Sequence, residues 1–235
     1  MQSLLIISRL LDYPDEDLWQ ARDEIELALE QCMELTAQDR SDLLQFLDAF
    51  YAVDLAENQS RYVAQFDHSR RSALYLCEHQ LSESKQRGQA MVNILHQYRR
   101  FALTPVQHEL PDYLPMILEF AYLRSVDDPP AAYQILLQIS VVLRTLQQRL
   151  QGSHYGVLFS LLLRLSGTDE QVQSEVSACV SHGSDLDVRQ NAQQMDMAEP
   201  DMDAEWEKAH RPVSLELTPS PQEFPAPVHY LNLGQ

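Results

Sequence analysis

The residues best suited to chemistry in this chain are few and scattered. Cys77-Glu78-His79 is the densest group, with Glu83 four positions beyond His79. On a helix, His79 and Glu83 share a face and could serve a metal or a thiolate–imidazole pair. Cys77 and His79, however, are two positions apart and project about 200° from each other around a helix, so no local pair forms. The alternative is a helix end whose His and Glu bond to nearby backbone. His68, His96, His108 and His154 have no ligand spacing to one another, and the three cysteines at 32, 77 and 179 include no CxxC pair. No cofactor or metal is expected, and no catalytic residue is assigned. Gly152-Ser153-His154-Tyr155-Gly156 carries His where a nucleophile elbow needs Ser, and neither a dinucleotide fingerprint nor a P-loop is present. The pairs Arg70-Arg71 and Arg99-Arg100 are too short for a nucleic-acid patch. In Glu109-Leu110-Pro111-Asp112-Tyr113-Leu114-Pro115, Pro111 suits a first helical turn and Asp112 would complement the helix dipole. Glu119, among Leu118, Phe120 and Tyr122, reads either as an exposed helix position, which the spacing favours, or as a partner for a cation.

The elements that must position these groups are helical. Residues 15–104 contain no proline and one glycine, Gly88, which argues against a sheet protein with its frequent turns. Leu18, Ile25, Leu29 and Cys32 form one stripe at helical spacing. Leu43, Leu47, Phe50 and Tyr51 form another, and Leu136, Leu143, Leu146 and Leu150 a third. Thr36 with Asp39, Thr168 with Gln171, and Ser84 read as helix starts. The pattern predicts helices over 3–11, 15–34, 37–56, 59–66, 70–80, 84–101, 111–124, 130–150, 154–166 and 169–181, with no strand of useful length. The expected architecture is all-α, a single bundle of about eight to ten helices over residues 1–183.

Composition shifts near residue 183. Between 185 and 235 there are ten acidic and three basic residues, and Leu, Ile, Val and Phe supply only 9 of 51 positions, too few for a core. Residues 184–235 are therefore read as an acidic, Pro-rich, largely disordered tail. Its apolar ending, Val228 to Leu233, could dock back on the body.

The whole chain of 235 residues carries a net charge of −18. That field repels a phosphate backbone and an anionic membrane surface, so it disfavours nucleic-acid binding and membrane docking. No apolar run approaches the roughly 18 residues of a spanning helix, and the start lacks the form of a secretory signal. Cytoplasmic location is the expectation.

Several motifs resemble one family. Tyr62-Val63-Ala64-Gln65-Phe66-Asp67 is similar to a YxxxFD element of the nitrate reductase delta-subunit chaperones, the NarJ/NarW family within the TorD-like redox-enzyme maturation group. Glu78-His79, Glu83-Ser84 and Arg87-Gly88-Gln89-Ala90-Met91-Val92 resemble its EHxxxESxxRGQAMV run. Glu109 to Pro115, continuing to Leu118-Glu119-Phe120, resembles ELPDHLPxxLEY, with Tyr113 in place of His. Ser8 to Pro14 matches SRLLxYP, and Pro227 to Asn232 echoes a PxYLN ending. After FD, His68-Ser69-Arg70-Arg71 replaces an RGR-type turn.

The resemblance implies an all-helical cytoplasmic chaperone rather than an enzyme. It implies binding to the catalytic molybdenum (alpha) subunit of respiratory nitrate reductase, partly through that subunit's N-terminal segment, and promotion of molybdenum cofactor and iron–sulfur insertion before membrane assembly. The alternatives are a permanent structural subunit of the reductase or a related chaperone for another molybdoenzyme. Two sites are expected. Glu78, His79, Arg87 and Gln89 would form a polar network where helices 70–80 and 84–101 meet. Asp112 and Glu119, two helical turns apart beside Tyr113, Leu118 and Tyr122, would form an acidic, apolar receiver for a basic amphipathic peptide, with Phe66 and Tyr75 as the adjoining apolar surface.

Overall fold

The computed structural model describes residues 1–68, 70–80, 84–105, 109–167 and 231–233. Its described residues form ten α-helices: α1 (Gln2–Leu10), α2 (Glu16–Gln20), α3 (Arg22–Gln31), α4 (Ala37–Tyr51), α5 (Leu55–Tyr62), α6 (Leu76–Gln80), α7 (Ser84–Arg100), α8 (Leu114–Asp127), α9 (Pro129–Arg149) and α10 (Gly156–Leu165). A π-helical turn, Val63–Asp67, extends α5. Two three-residue strands, β1 (Leu103–Pro105) and β2 (Leu231–Leu233), pair antiparallel. The expected helix over 169–181 and nearly all of the 184–235 segment lie outside the described residues.

Helix packing follows from where the apolar residues fall. In α8 every residue from Leu114 to Leu123 is buried, so the helix has no solvent face along that stretch. A helix that is apolar all round must be covered on all sides. Here α1 and α9 cover it, α10 packs on α9, α4 on α10, α3 on α4, and α1 on α3. The six helices close a ring around one continuous core.

Local signals explain where the helices stop. The predicted 15–34 helix is two: the Asp15 carboxylate caps α2 by accepting from the Leu18 amide, and the chain bends at Ala21 so that Leu18, Ile25 and Leu29 all reach the core. The predicted 37–56 helix ends at Tyr51, because Asp54 caps a new helix through the Glu57 amide. Residues 70–75 are turn and bridge rather than helix, leaving α6 only its last turn or so. The predicted 111–124 helix begins later, at Leu114, with Pro115 in its first turn. Pro115 lacks an N–H, which costs nothing where that donor has no intrahelical partner.

The Thr36 cap is as predicted and does more than start α4. Its hydroxyl accepts from the Asp39 amide, while the Asp39 carboxylate accepts from the Thr36 amide and hydroxyl. Asp39 also accepts from Arg164 of α10 at 2.6 Å, and Asp42 from the same guanidinium at 3.1 Å. Burial pushes the Asp39 carboxyl up, but the Thr36 groups and Arg164 outweigh it and hold it below its ordinary value. A carboxylate so held contributes stability above the free-carboxylate range and loses it as the pH falls through the lowered value. Asp39→Ala removes the carboxylate half of the capping box and the cross-helix pair together, while the residue-39 amide still donates to Thr36. It should lower the unfolding free energy by about 2 kcal/mol in urea titrations at pH 7, and the deficit should shrink on acidification.

Candidate functional site

Three motif segments far apart in sequence meet at one cavity of about 490 Å³. The segment after α1 supplies Asp12, Tyr13 and Asp15. The end of α5 and its π-turn supply Tyr62, Phe66 and Asp67. The 74–75 and 109–113 segments supply Tyr75, Glu109 and Tyr113. Five aromatic rings and four carboxylates therefore share one wall.

The 110–114 segment sets this geometry. Leu114 donates its amide to the Leu74 carbonyl at 2.8 Å, and Leu76 donates to the Asp112 carbonyl at 3.0 Å, so Tyr75 and Tyr113 face each other as an antiparallel bridge. Their rings lie 5.3 Å apart. The Tyr113 hydroxyl donates to Asp12 at 3.1 Å and lies 3.0 Å from the Tyr62 hydroxyl, while Tyr62 donates to the Leu11 carbonyl. Tyr62 packs on Phe66 with centroids 4.9 Å apart, and Tyr13 meets the edge of Tyr62 at 5.6 Å. Tyr13 is 44% exposed and marks the mouth.

The charge of the wall is unbalanced. Arg9 spans Asp12 at 3.4 Å and Asp15 at 3.3 Å. Glu109 instead accepts from the Tyr75 hydroxyl at 2.9 Å. Burial pushes the Glu109 carboxyl above its ordinary value. The Tyr75 hydroxyl offsets part of that, and the nearby charges of Asp12, Asp112 and Asp67 add to it. Burial and the Glu109 carboxylate push the Tyr75 phenol up in turn. Aromatic faces beside carboxylates with a surplus negative charge make a receptor for a cation on an apolar stem.

The expected receiver on α8 is overturned. Asp112, Leu118 and Glu119 are fully buried and Tyr122 is 4% exposed, so this face belongs to the core and offers nothing to a peptide. Glu119 is not solvated because α8 is enclosed by α1 and α9. Nor does Asp112 lie in the first turn of its own helix. Its carboxylate accepts from the Cys77 amide at 2.9 Å and so caps α6 instead. Burial raises the Asp112 carboxyl, offset in part by the Cys77 amide and thiol and by the charge of Arg87. Of the expected receiver residues, Tyr113, Phe66 and Tyr75 do come together, on the cavity wall. Sequence reasoning missed Asp12, Tyr13, Asp15, Tyr62, Asp67 and Glu109. Five of the six lie inside the SRLLDYP, YxxxFD and ELPDYLP runs, and Asp15 directly follows the first, so the convergence of those runs was the signal available.

The expected polar network is divided. Arg87 of α7 pairs with Glu78 of α6. His79 turns the other way: Nε2 donates to the Ala73 carbonyl at 2.7 Å, and Nδ1 accepts from Arg149 of α9 at 2.9 Å. Arg149 also donates to the Arg71 carbonyl at 2.7 Å. Gln89 lies on the exposed face of α7, bonded to Asn93. The Cys77 thiol is buried, and burial with the adjacent Asp112 charge pushes it well up, which suppresses the thiolate a nucleophile needs. Among the described residues no group of three or more His, Cys, Asp or Glu is arranged to hold a metal ion, and no helix is long and apolar enough to cross a membrane.

Comparison with known proteins points in one direction. Residues 22–152 match the family described as nitrate reductase delta subunit. The chain is 41% identical over 170 residues to the nitrate reductase molybdenum cofactor assembly chaperone NarJ of Escherichia coli K12, covering 72% of this chain and 71% of that protein. It is 34% identical over 211 residues to the probable nitrate reductase molybdenum cofactor assembly chaperone NarW of the same strain, covering 88% and 82%. A third relative is the probable chaperone NarJ of Bacillus subtilis 168, 30% identical over 177 residues, covering 73% and 94%.

His79 supplies a pH test of the α6–α9 junction. Burial pushes its imidazole below the ordinary value, and the Arg149 charge adds to this against the favourable Ala73 bond. The folded chain thus binds fewer protons at His79 than the unfolded chain does, so stability rises with pH across this window. It is complete above the free-imidazole value of about 6.5 and is lost as the pH falls from there through the lowered folded value. Thermal melts of wild type should therefore lose midpoint between pH 7 and 5, and His79→Gln should lose measurably less over the same interval.

Proposed function

The chain belongs to the nitrate reductase delta subunit family, and on that premise we propose that it is an assembly chaperone for the catalytic subunit of a respiratory nitrate reductase. In this reading it works in the cytoplasm, binds the catalytic subunit before cofactor insertion, and holds it competent to receive the molybdenum cofactor and iron–sulfur centre. The body over residues 1–183 does the binding, and the acidic 184–235 segment follows it. The chain takes no part in the chemistry of nitrate reduction.

The observation that carries the reading is the cavity. It is assembled from three of the segments on which the family resemblance rests, and its aromatic and acidic wall suits a basic side chain on an amphipathic helix. The partner's N-terminal segment would lay its apolar side against Tyr13, Phe66 and Tyr75. It would send a Lys or Arg toward Asp67 and Glu109. Arg9 already engages Asp12 and Asp15 at the other end of the wall, which directs the incoming cation to the Glu109 end.

Calorimetric titration with the catalytic subunit's N-terminal peptide tests this. Glu109→Gln and Asp67→Asn should each weaken binding by about three- to tenfold at low salt. The loss should contract in about 0.5 M salt, where screening suppresses the charge contribution in wild type as well. Tyr13→Ala should weaken binding without that salt dependence. Unchanged affinity in all three variants places the peptide elsewhere. A stoichiometric band of the chain in purified mature reductase would favour a permanent subunit over a chaperone.

A further inference from the structure

Two walls of the cavity come from segments that are neither α-helix nor strand. One is the π-turn, with Phe66 and Asp67. The other is the 71–75 segment of turn and bridge, with Leu74 and Tyr75. Tyr75 is tied to Glu109, because its hydroxyl donates to that carboxylate. The spacing of these walls therefore sets the spacing of Asp67 from Glu109, the two carboxylates to which the functional reading directs an incoming cation. Irregular segments still have to satisfy their carbonyls, and the groups that do so here come from one place.

That place is the link from α9 to α10. Arg149, in the last turn of α9, donates to the Arg71 carbonyl and to His79 Nδ1, and His79 in turn donates to the Ala73 carbonyl. Ser153 donates its hydroxyl to Gln65 Oε1 at 2.8 Å. Two residues on, the Tyr155 ring meets Phe66 with centroids 4.9 Å apart. Arg149 thus grips one wall, Ser153 and Tyr155 grip the other, and none of the three lines the cavity. The walls are also joined directly, since the Ser72 hydroxyl donates to the Gln65 carbonyl. The link can hold a distance because it is itself tight. The Ser153 amide donates to the Leu150 carbonyl at 2.9 Å, and the Gly156 amide to the Ser153 carbonyl at 3.0 Å. A β-carbon at Gly156 would stand 2.7 Å from the Leu150 carbonyl oxygen, so glycine is what lets these turns close.

We propose that Arg149 and Ser153 are positioning residues for the cavity: they set the distance between its two walls, and thereby the length of the cationic side chain it accepts. The cationic ligand in this statement rests on the functional reading above. Specificity is a difference between two affinities, and a fixed receptor creates it by failing to adapt to the wrong ligand. With both walls held, a cation on a shorter stem falls short of one of the two carboxylates. With either wall released, the carboxylates can close on the shorter cation and the difference shrinks.

Calorimetry on the full chain with two versions of the catalytic subunit's N-terminal peptide tests the proposal. In one version every basic residue is Lys. In the other every basic residue is diaminobutyrate, of the same charge but two methylenes shorter. Wild type should bind the Lys version about fivefold more tightly. Arg149→Gln and Ser153→Ala should each bring that preference below about twofold. The quantity read is a ratio, so a fall in the folded fraction, which scales both affinities alike, cannot produce the change. Asp39→Ala, which weakens the fold away from the cavity, should keep the wild-type ratio. Equal affinities in wild type, a wild-type ratio in either link variant, or the same fall in Asp39→Ala overturns the proposal. A second arm needs no peptide. In the free chain, Arg149→Gln should move the Phe66 and Asp67 amide resonances, and Ser153→Ala those of Leu74 and Tyr75, because the Ser72–Gln65 bond couples the walls. Shifts confined to the wall each residue touches overturn the positioning role. If neither peptide binds, the functional reading fails, and the second arm alone decides whether the two residues position the walls.

Discussion

The arrangement around the cavity depends on one buried carboxylate. Asp112 has no solvent exposure, yet it supplies the cap for α6 through the Cys77 amide. Its own carbonyl holds Leu76, and two residues on, the Leu114 amide holds Leu74. These three bonds lock the 110–114 segment against the 74–77 segment, and only then do Tyr75 and Tyr113 face each other across the cavity wall. The other carboxylate oxygen of Asp112 is buried without a hydrogen bond. Such an arrangement is costly to bury and costlier to break, because removing the carboxylate strands the amide it satisfied. The two prolines help: Pro111 and Pro115 restrict the backbone on either side, so fewer unfolded conformations compete with this one.

From that anchor, polarity is passed along tyrosines. Tyr113 reaches Asp12, Asp12 accepts from the Tyr13 amide, and Tyr62 ties the same cluster to the Leu11 carbonyl. The Tyr62, Tyr75 and Tyr113 hydroxyls are each satisfied within the protein, so the wall is rigid without being neutral. A rigid wall matters for recognition, since side chains already fixed in place lose little further freedom when a ligand arrives. Tyr98, wholly buried, extends the scaffold by donating to the Pro111 carbonyl from α7.

Much of the fold was legible because burial follows helical period. The stripes at Leu18 to Cys32, Leu43 to Tyr51 and Leu136 to Leu150 all point inward, and the Thr36 cap sits where its spacing to Asp39 placed it. The site was less legible, and the reason lies in α8. Asp112 and Glu119 look like an exposed acidic face because carboxylates are rarely buried. The burial of Glu119 is decided by α1, over a hundred residues before it, and α9, ten residues after it, and Asp112 is enclosed against the 74–77 segment, about which local spacing carries no information. The same holds for His79: its nearness to Glu78, Arg87 and Gln89 in sequence suggested one network, whereas its partner is Arg149, 70 residues on. Residues that converge from separate motifs, such as Asp12, Asp67 and Glu109, become a site only when the ring of helices closes.

That closure also sets the order in which the chain can mature during its own synthesis. Helix α1 is synthesised before α8, and its Leu4, Leu5, Ile6, Ile7 and Leu10 are destined for a core that α8, over a hundred residues later, helps to close. At ordinary elongation rates the wait is on the order of ten seconds. Throughout it, α3 covers only part of the surface of Leu4 to Leu10. The slow, long-range step is therefore the capture of a hydrophobic N-terminal helix, and nascent chains shorter than about 130 residues should be sticky, protease-sensitive and unable to fold cooperatively. This protein passes through its own interval of an exposed apolar helix before α8 exists to bury it.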